Sequence, residues 1–215
     1  MNRAVFLDRD GVINAMVYNV EFGLVDSPAN PREFTLLPGV PEAIRVINNL
    51  GFLAVVISNQ PGIAKAKFSE PLLEAMTHQM ISELAAYGSR IDSVYYCFHH
   101  PDGVIEAYRK TCDCRKPKPG LLLRAADELD IALDQSYFIG DGITDMQAGK
   151  AAGTTNILVY PSSRCYICEE LNRHHVQPHY IVPSLHDGVI LIQQVETDST
   201  GRLKGEKSDG NQAVS

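Results

Sequence analysis

Short apolar runs rich in β-branched residues alternate along this chain with segments of helical periodicity. That alternation restricts the fold more than any other feature of the sequence. Residues 4–7, 52–58, 91–98 (IDSVYYCF), 136–141 (SYFIGD), 156–160 (NILVY) and 179–183 (HYIVP) read as strands, and FLAVVIS at 52–58 is apolar without a break, as in a strand buried on both faces. Between them, Pro38–Asn49 places Val40, Ile44 and Ile47 at helical spacing, with Gly51 just beyond as a stop. Ser69–Tyr87 has Ser69 as N-cap, Pro71 in the first turn and an apolar side of Leu72, Leu73, Met76, Met80, Ile81 and Leu84. Residues 119–129, 144–152 and 185–195 complete the helices. Strands alternating with helices imply parallel βαβ units, and hence a three-layer α/β/α domain around a mostly parallel sheet. A chain of 215 residues suits one such domain over 1–195; the polar, aperiodic residues 196–215 read as a disordered tail. Asn14–Leu37, with Pro28 and Pro31 and no periodicity, reads as a long loop with little regular structure.

Charge and composition exclude several classes. The formal charge is -7 and no basic stripe exists, so no nucleic-acid partner is expected. No apolar run approaches the ~18 residues of a membrane span. The start, MNRAVFLDRDG, lacks a signal-peptide layout. A cytoplasmic monomer without a membrane partner is the expectation. Five cysteines, an odd number at uneven spacing, make a poor disulfide framework and suggest reduced thiols.

Three strand ends carry the chemistry. VFLDRD, VVISNQ and YFIGDG each finish in polar groups suited to phosphate or metal, and ligands of parallel sheets sit at the carboxyl ends of strands. Asp8 and Asp10, two apart, project to one side of an extended chain and repel unless a cation lies between them. Mg²⁺, which favours carboxylates and substrate phosphate, is the natural partner, and Asp141 offers a further ligand. So screened, one carboxylate can attack phosphorus while the other serves as acid and then base. Ser58 supplies a hydroxyl, the N–H groups from Asn59 onward an anion cradle, Lys116 a point charge and Arg115 a bidentate grip.

FLDRDGVIN, VVISNQ, CRKPKPG and IGDGITDMQAG resemble, in order, the four motifs of the haloacid dehalogenase superfamily of phosphohydrolases. The resemblance spans about Val5 to Ala152 and implies that superfamily's Rossmann-like fold, here without a large cap domain. It implies Asp8 as nucleophile and Asp10 as acid/base, with Ser58 and Lys116 completing the catalytic set. Mg²⁺ would be held by Asp8, Asp141 and the Asp10 backbone carbonyl, with Asp145 in the outer shell.

A second constellation lies in CFHHPDGVIEAYRKTCDC. Cys97, Cys112, Cys114 and either His99 or His100 form a Cys₃His set, closed and therefore structural zinc. Spacing does not choose between the histidines. The segment, about 97–114, resembles the zinc loop of the heptose 1,7-bisphosphate phosphatases and the related histidinol-phosphate phosphatases, which implies His99. Its length favours the heptose enzymes. The implied substrate is a phosphorylated sugar, D-glycero-D-manno-heptose 1,7-bisphosphate leaving heptose 1-phosphate, with Ser58, Asn59, Gln60, Arg115 and Lys116 lining the pocket. Histidinol-phosphate or broad small-molecule phosphatase activity is the alternative, and a silent binding protein on the same fold a third. Gly142 stands where a lysine often follows the fourth-motif aspartate, and the 14–37 segment departs from the usual pattern. Cys165, Cys168, His174, His175 and His179 form another cluster, expected to be ordinary helix and loop residues rather than a second metal or redox site.

Overall fold

The computed structural model describes residues 1–20, 23–160 and 166–205. Six strands form one parallel sheet: β1 (Ala4–Leu7), β4 (Leu53–Asn59), β5 (Ser93–Cys97), β6 (Tyr137–Gly140), β7 (Thr155–Val159) and β8 (Tyr180–Val182). Their spatial order is β5-β4-β1-β6-β7-β8. The chain winds outward from β1 through β4 to β5, then returns to β6 on the other side and continues to β8. The order therefore reverses at β1, and the crevice above its carboxyl end is where a ligand finds room.

Alternation along β1 shows why two helical layers are needed. Val5 and Leu7 bury into one core with Val56 and Ile139, while Ala4 and Phe6 bury into another with Val55, Ile57 and Phe138. The first face is covered by α1 (Val40–Asn49), α2 (Glu70–Ala86) and α6 (Leu185–Gly205), through residues such as Ile44, Ile47, Met76, Met80, Val189 and Ile192. Leu72 and Ile81, expected on the apolar side of α2, are exposed, each one position off the buried stripe of Leu73, Met76, Met80 and Leu84. The second is covered by α3 (Gly120–Leu129) and α4 (Ile143–Ala152), through Leu121, Leu122, Ala125 and Ala148. Leu171, in α5 (Tyr166–Arg173), joins Met146 and Leu158 on that same side. None of the described helices is long and apolar enough to cross a membrane.

Two further expectations need correction. The 14–37 segment contains an antiparallel hairpin, β2 (Val17–Asn19) with β3 (Leu24–Asp26), in register Val17↔Asp26 and Asn19↔Leu24. Strands of three residues carry too little alternation to read from sequence, and Tyr18, Leu24 and Val25 are exposed rather than buried. Nor does structure stop at 195, because α6 runs on to Gly205; residues 206–215 lie outside the described part. Glu196 is the anchor. Its Oε2 accepts from Arg3 Nη1 at 2.7 Å and its Oε1 from the Tyr137 hydroxyl at 2.9 Å, tying the helix to the start of β1 and of its neighbour β6. Polarity suggests a solvated tail, but this carboxylate has partners distant in sequence.

Two charge-assisted bonds at a partly exposed site are together worth about 1–2 kcal/mol. Glu196→Ala should lower unfolding stability by that amount in urea titration, with an unchanged m-value. No loss would mean the helix end beyond 195 contributes nothing to the fold.

Candidate active site

β1 ends at Leu7, and the chain turns at once. The Arg9 carbonyl accepts from the N–H groups of Ile13 and Asn14 at 2.8 and 3.1 Å, so Asp10 lies in a turn rather than on a continued strand. Gly11 adopts φ +84° there, and a Cβ at Gly11 would stand 2.0 Å from Asp141 Oδ2. Glycine answers both the turn and the close approach of β6. Because of this turn, Asp8 and Asp10 do not share one cation through their side chains. The Asp10 carboxylate folds onto Arg9, whose side chain is fully buried, with Oδ1 accepting from Nε at 3.0 Å and Nη2 at 2.9 Å. Asn14 Nδ2 at 3.0 Å and Gln60 Nε2 at 2.7 Å complete its partners. Gln60 also donates to Ser58 Oγ at 3.1 Å, which joins the ends of β1 and β4. Sequence reasoning missed Arg9, although a lone basic residue between two acidic ones was visible in LDRD.

Asp8 instead meets the acidic groups of β6 and α4. Asp8, Asp141 and Asp145 bring carboxylate oxygens within 4.8 Å of one another. Lys116 Nζ enters this cluster, 2.9 Å from Asp8 Oδ1 and 2.6 Å from Asp145 Oδ1, and donates to the Ile57 carbonyl at 3.0 Å. The other oxygen of Asp145 accepts from the Gly142 N–H at 2.9 Å, capping α4. Asp145 Oδ1 has the Lys116 ion pair but no hydrogen bond, so Asp8, Asp141 and Asp145 all remain open to a cation. Burial pushes Asp8 up to about 6, with Asp145 adding to the rise and Lys116 opposing it. Burial, then Asp8 and Asp145, pushes Asp141 up to about 7. Burial would lower Lys116, but Asp145 and Asp8 hold it above the ordinary lysine range. Three carboxylates facing one ammonium fit a hard divalent cation with oxygen ligands such as Mg²⁺.

Asn59, expected to line the pocket, has both ends of its amide on the Lys116 backbone: Oδ1 accepts from the N–H at 3.0 Å and Nδ2 donates to the carbonyl at 3.1 Å. Arg115 folds back on the zinc-ligand loop, with Nη1 3.4 Å from the His99 carbonyl.

That loop gathers Cys97 from the end of β5 with His99, Cys112 and Cys114. The sulfurs stand 3.3–3.6 Å apart, and His99 Nδ1 lies 3.3 Å from Cys114 Sγ and 3.8 Å from Cys97 Sγ. Zinc at about 2.3 Å from sulfur and about 2.0 Å from nitrogen sets tetrahedral donor separations of roughly 3.5–3.8 Å. The four donors fit that shell. Burial lowers the His99 ring's proton affinity, which favours the neutral imidazole a metal requires. His100 faces elsewhere, its Nδ1 accepting from the Asp102 N–H at 3.1 Å, so packing selects the histidine that spacing left open. Of the later cluster, Cys165 lies outside the described residues; His174 stands 3.8 Å from Glu170, and His179 Nδ1 accepts from the Asn156 N–H at 2.9 Å.

A family model described as "HAD-hyrolase-like" matches residues 113–188. The D-glycero-beta-D-manno-heptose-1,7-bisphosphate 7-phosphatase of Escherichia coli (strain K12) is 46% identical over 157 residues, 73% of this chain and 78% of that protein. Its namesake from Pasteurella multocida (strain Pm70) is 37% identical over 197 residues, 92% of this chain and 100% of the relative. Among solved structures, the D,D-heptose 1.7-bisphosphate phosphatase from B. bronchiseptica complexed with magnesium and phosphate aligns with TM-score 0.74 at 28% identity, covering 89% of this chain and 98% of that one.

The raised carboxyl groups make metal binding pH-dependent. Both values lie above the ordinary 3.8, so the folded chain holds these protons more tightly than the unfolded one, and metal-free stability declines as pH rises from about 4 through 7. Magnesium takes only the ionised forms, so the rise in Tm it produces should be small near pH ~5 and large near pH ~8. Equal shifts at both would refute the assignment. For zinc, His99→Ala should lose the metal by elemental analysis and lower Tm, whereas His100→Ala should keep it; the reverse result would exchange the two histidines.

Proposed function

Because the chain belongs to the family of the D-glycero-beta-D-manno-heptose-1,7-bisphosphate 7-phosphatases, HAD-like hydrolases, we propose that it removes the 7-phosphate from that sugar bisphosphate and leaves the 1-phosphate. The observation that carries the chemistry is the Asp8 carboxylate, held 2.9 Å from the buried Lys116 ammonium at the carboxyl end of β1.

Asp8 attacks phosphorus, the bond from phosphorus to the sugar oxygen breaks, and an aspartyl-phosphate forms. Asp10, turned from its Arg9, Asn14 and Gln60 partners and protonated, gives its proton to the departing oxygen. In the second half it takes one from water, whose oxygen attacks the phosphoryl group and frees Asp8. Lys116 stabilises charge on Asp8 and on the transferring oxygens, and Ser58 and Arg115 hold the phosphoryl group and the sugar's remaining phosphate. Mg²⁺ on Asp8, Asp141 and the Asp10 carbonyl would screen the approach of carboxylate to phosphate. Asp145, whose Oδ2 caps α4 through the Gly142 N–H, would serve in the outer shell of that ion. Zinc on Cys97, His99, Cys112 and Cys114 would have a closed set of protein ligands and so a structural task.

Phosphate release with Mg²⁺ should be fastest for the β-anomer of the heptose 1,7-bisphosphate, ahead of the α-anomer, histidinol phosphate and hexose phosphates. Preference for histidinol phosphate would overturn the substrate. Asp8→Asn should abolish turnover by about three orders of magnitude or more. Its Tm should hold or rise, because one of three crowded carboxylates has become neutral. Persisting activity would remove Asp8 as nucleophile.

A further inference from the structure

Lys116 presents a mechanical problem. Its ammonium is set between Asp8 and Asp145 to within ordinary hydrogen-bond distance, yet its backbone belongs to a turn between Cys114 and α3, outside any helix or strand. A lysine side chain has four rotatable bonds, so placing its tip demands that its origin be fixed. Asn59 does this. Its carboxamide takes the N–H and the C=O of Lys116 in a two-bond ring, the pairing a neighbouring strand would offer.

The position of Asn59 makes the clamp rigid. It is the last residue of β4, paired in register with Cys97, and the Gln60 N–H donates to the Cys97 carbonyl at 2.7 Å. Asn59 thus links the strand end bearing one zinc ligand to the residue two positions after another. Strand alternation assigns the neighbouring side chains differently: Ser58 and Gln60 meet each other on the Asp10 side, and Asn59 faces the other way.

We infer that Asn59 is a positioning residue for Lys116, acting on catalysis through the lysine backbone and not through contact with substrate. This rests on the reading of Lys116 as part of the phosphatase machinery. Loss of the clamp leaves binding of substrate intact and misplaces the charge that matters in the transition state, so it acts on kcat.

A double-mutant cycle with the heptose bisphosphate tests this. Asn59→Leu should lower kcat about 30-fold with KM within about twofold, and in a Lys116→Met background the same change should cost less than about twofold. A rise in KM at constant kcat, or equal losses in both backgrounds, would overturn the inference. Amide hydrogen exchange of Lys116 gives an independent measurement that needs no turnover. Protection should collapse in Asn59→Leu and persist in Asn59→Asp, which keeps the acceptor for that N–H and loses the donor to the carbonyl. Asn59→Asp also serves if the leucine variant does not fold, with a kcat between wild type and the expected leucine value. Unchanged protection in Asn59→Leu, or its loss in Asn59→Asp, rejects the clamp. If the wild-type protein releases no phosphate, the proposed function fails by itself, and the exchange measurement still decides whether Asn59 holds Lys116.

Discussion

The ammonium of Lys116, buried against Asp8 and Asp145, is the contact on which the rest of the site depends. Burying a charge is costly unless partners surround it, and burying carboxylates beside one another is costlier still. Here each cost is offset by the other. Lysine lies against two acids and the Ile57 carbonyl, and the acids tolerate proximity because the lysine is there. Three carboxylates face one ammonium, so the arrangement falls two positive charges short, and burial together with the neighbouring acids pushes Asp8 and Asp141 up. A site built to be completed by a cation and to receive a phosphate has this character.

Holding that contact takes parts of the fold distant in sequence. β1 supplies Asp8, α4 supplies Asp145, and a turn after the zinc-ligand loop supplies Lys116. Strands are stiff because neighbouring strands hold them, but the turn has no such support. Two devices provide it: a knot of three thiols and an imidazole just upstream, and the Asn59 amide bonded to the lysine's own peptide groups. The Cys₃His set and the Asn59 amide thus flank the Lys116 backbone from two sides.

The two acids of the opening motif illustrate how one residue type, two positions apart, meets two different environments. Asp8 is flanked by acidic neighbours and a lysine, and its carboxylate is open to reaction. Asp10, two residues on, lies within the turn that starts at Arg9, and its oxygens engage Arg9, Asn14 and Gln60. A backbone turn of a few residues, permitted by Gly11, separates them.

Much of this was legible in the amino-acid order. Strand and helix alternation determines a parallel three-layer domain, and polar residues closing VFLDRD, VVISNQ and YFIGDG determine that the site lies at strand ends, because these signals are local and repeat with fixed periods. The Cys₃His set was equally plain, since its members lie within one segment. The rest depended on through-space neighbours. Only the folded chain selects His99 over His100, turns Asp10 onto Arg9, sets Asn59 on the Lys116 backbone, pairs the short hairpin at 17–26 and fastens Glu196 to Arg3 and Tyr137. Each of these is decided by which groups meet across distant parts of the chain, and residue type and spacing specify what a side chain can bond but not which partner reaches it.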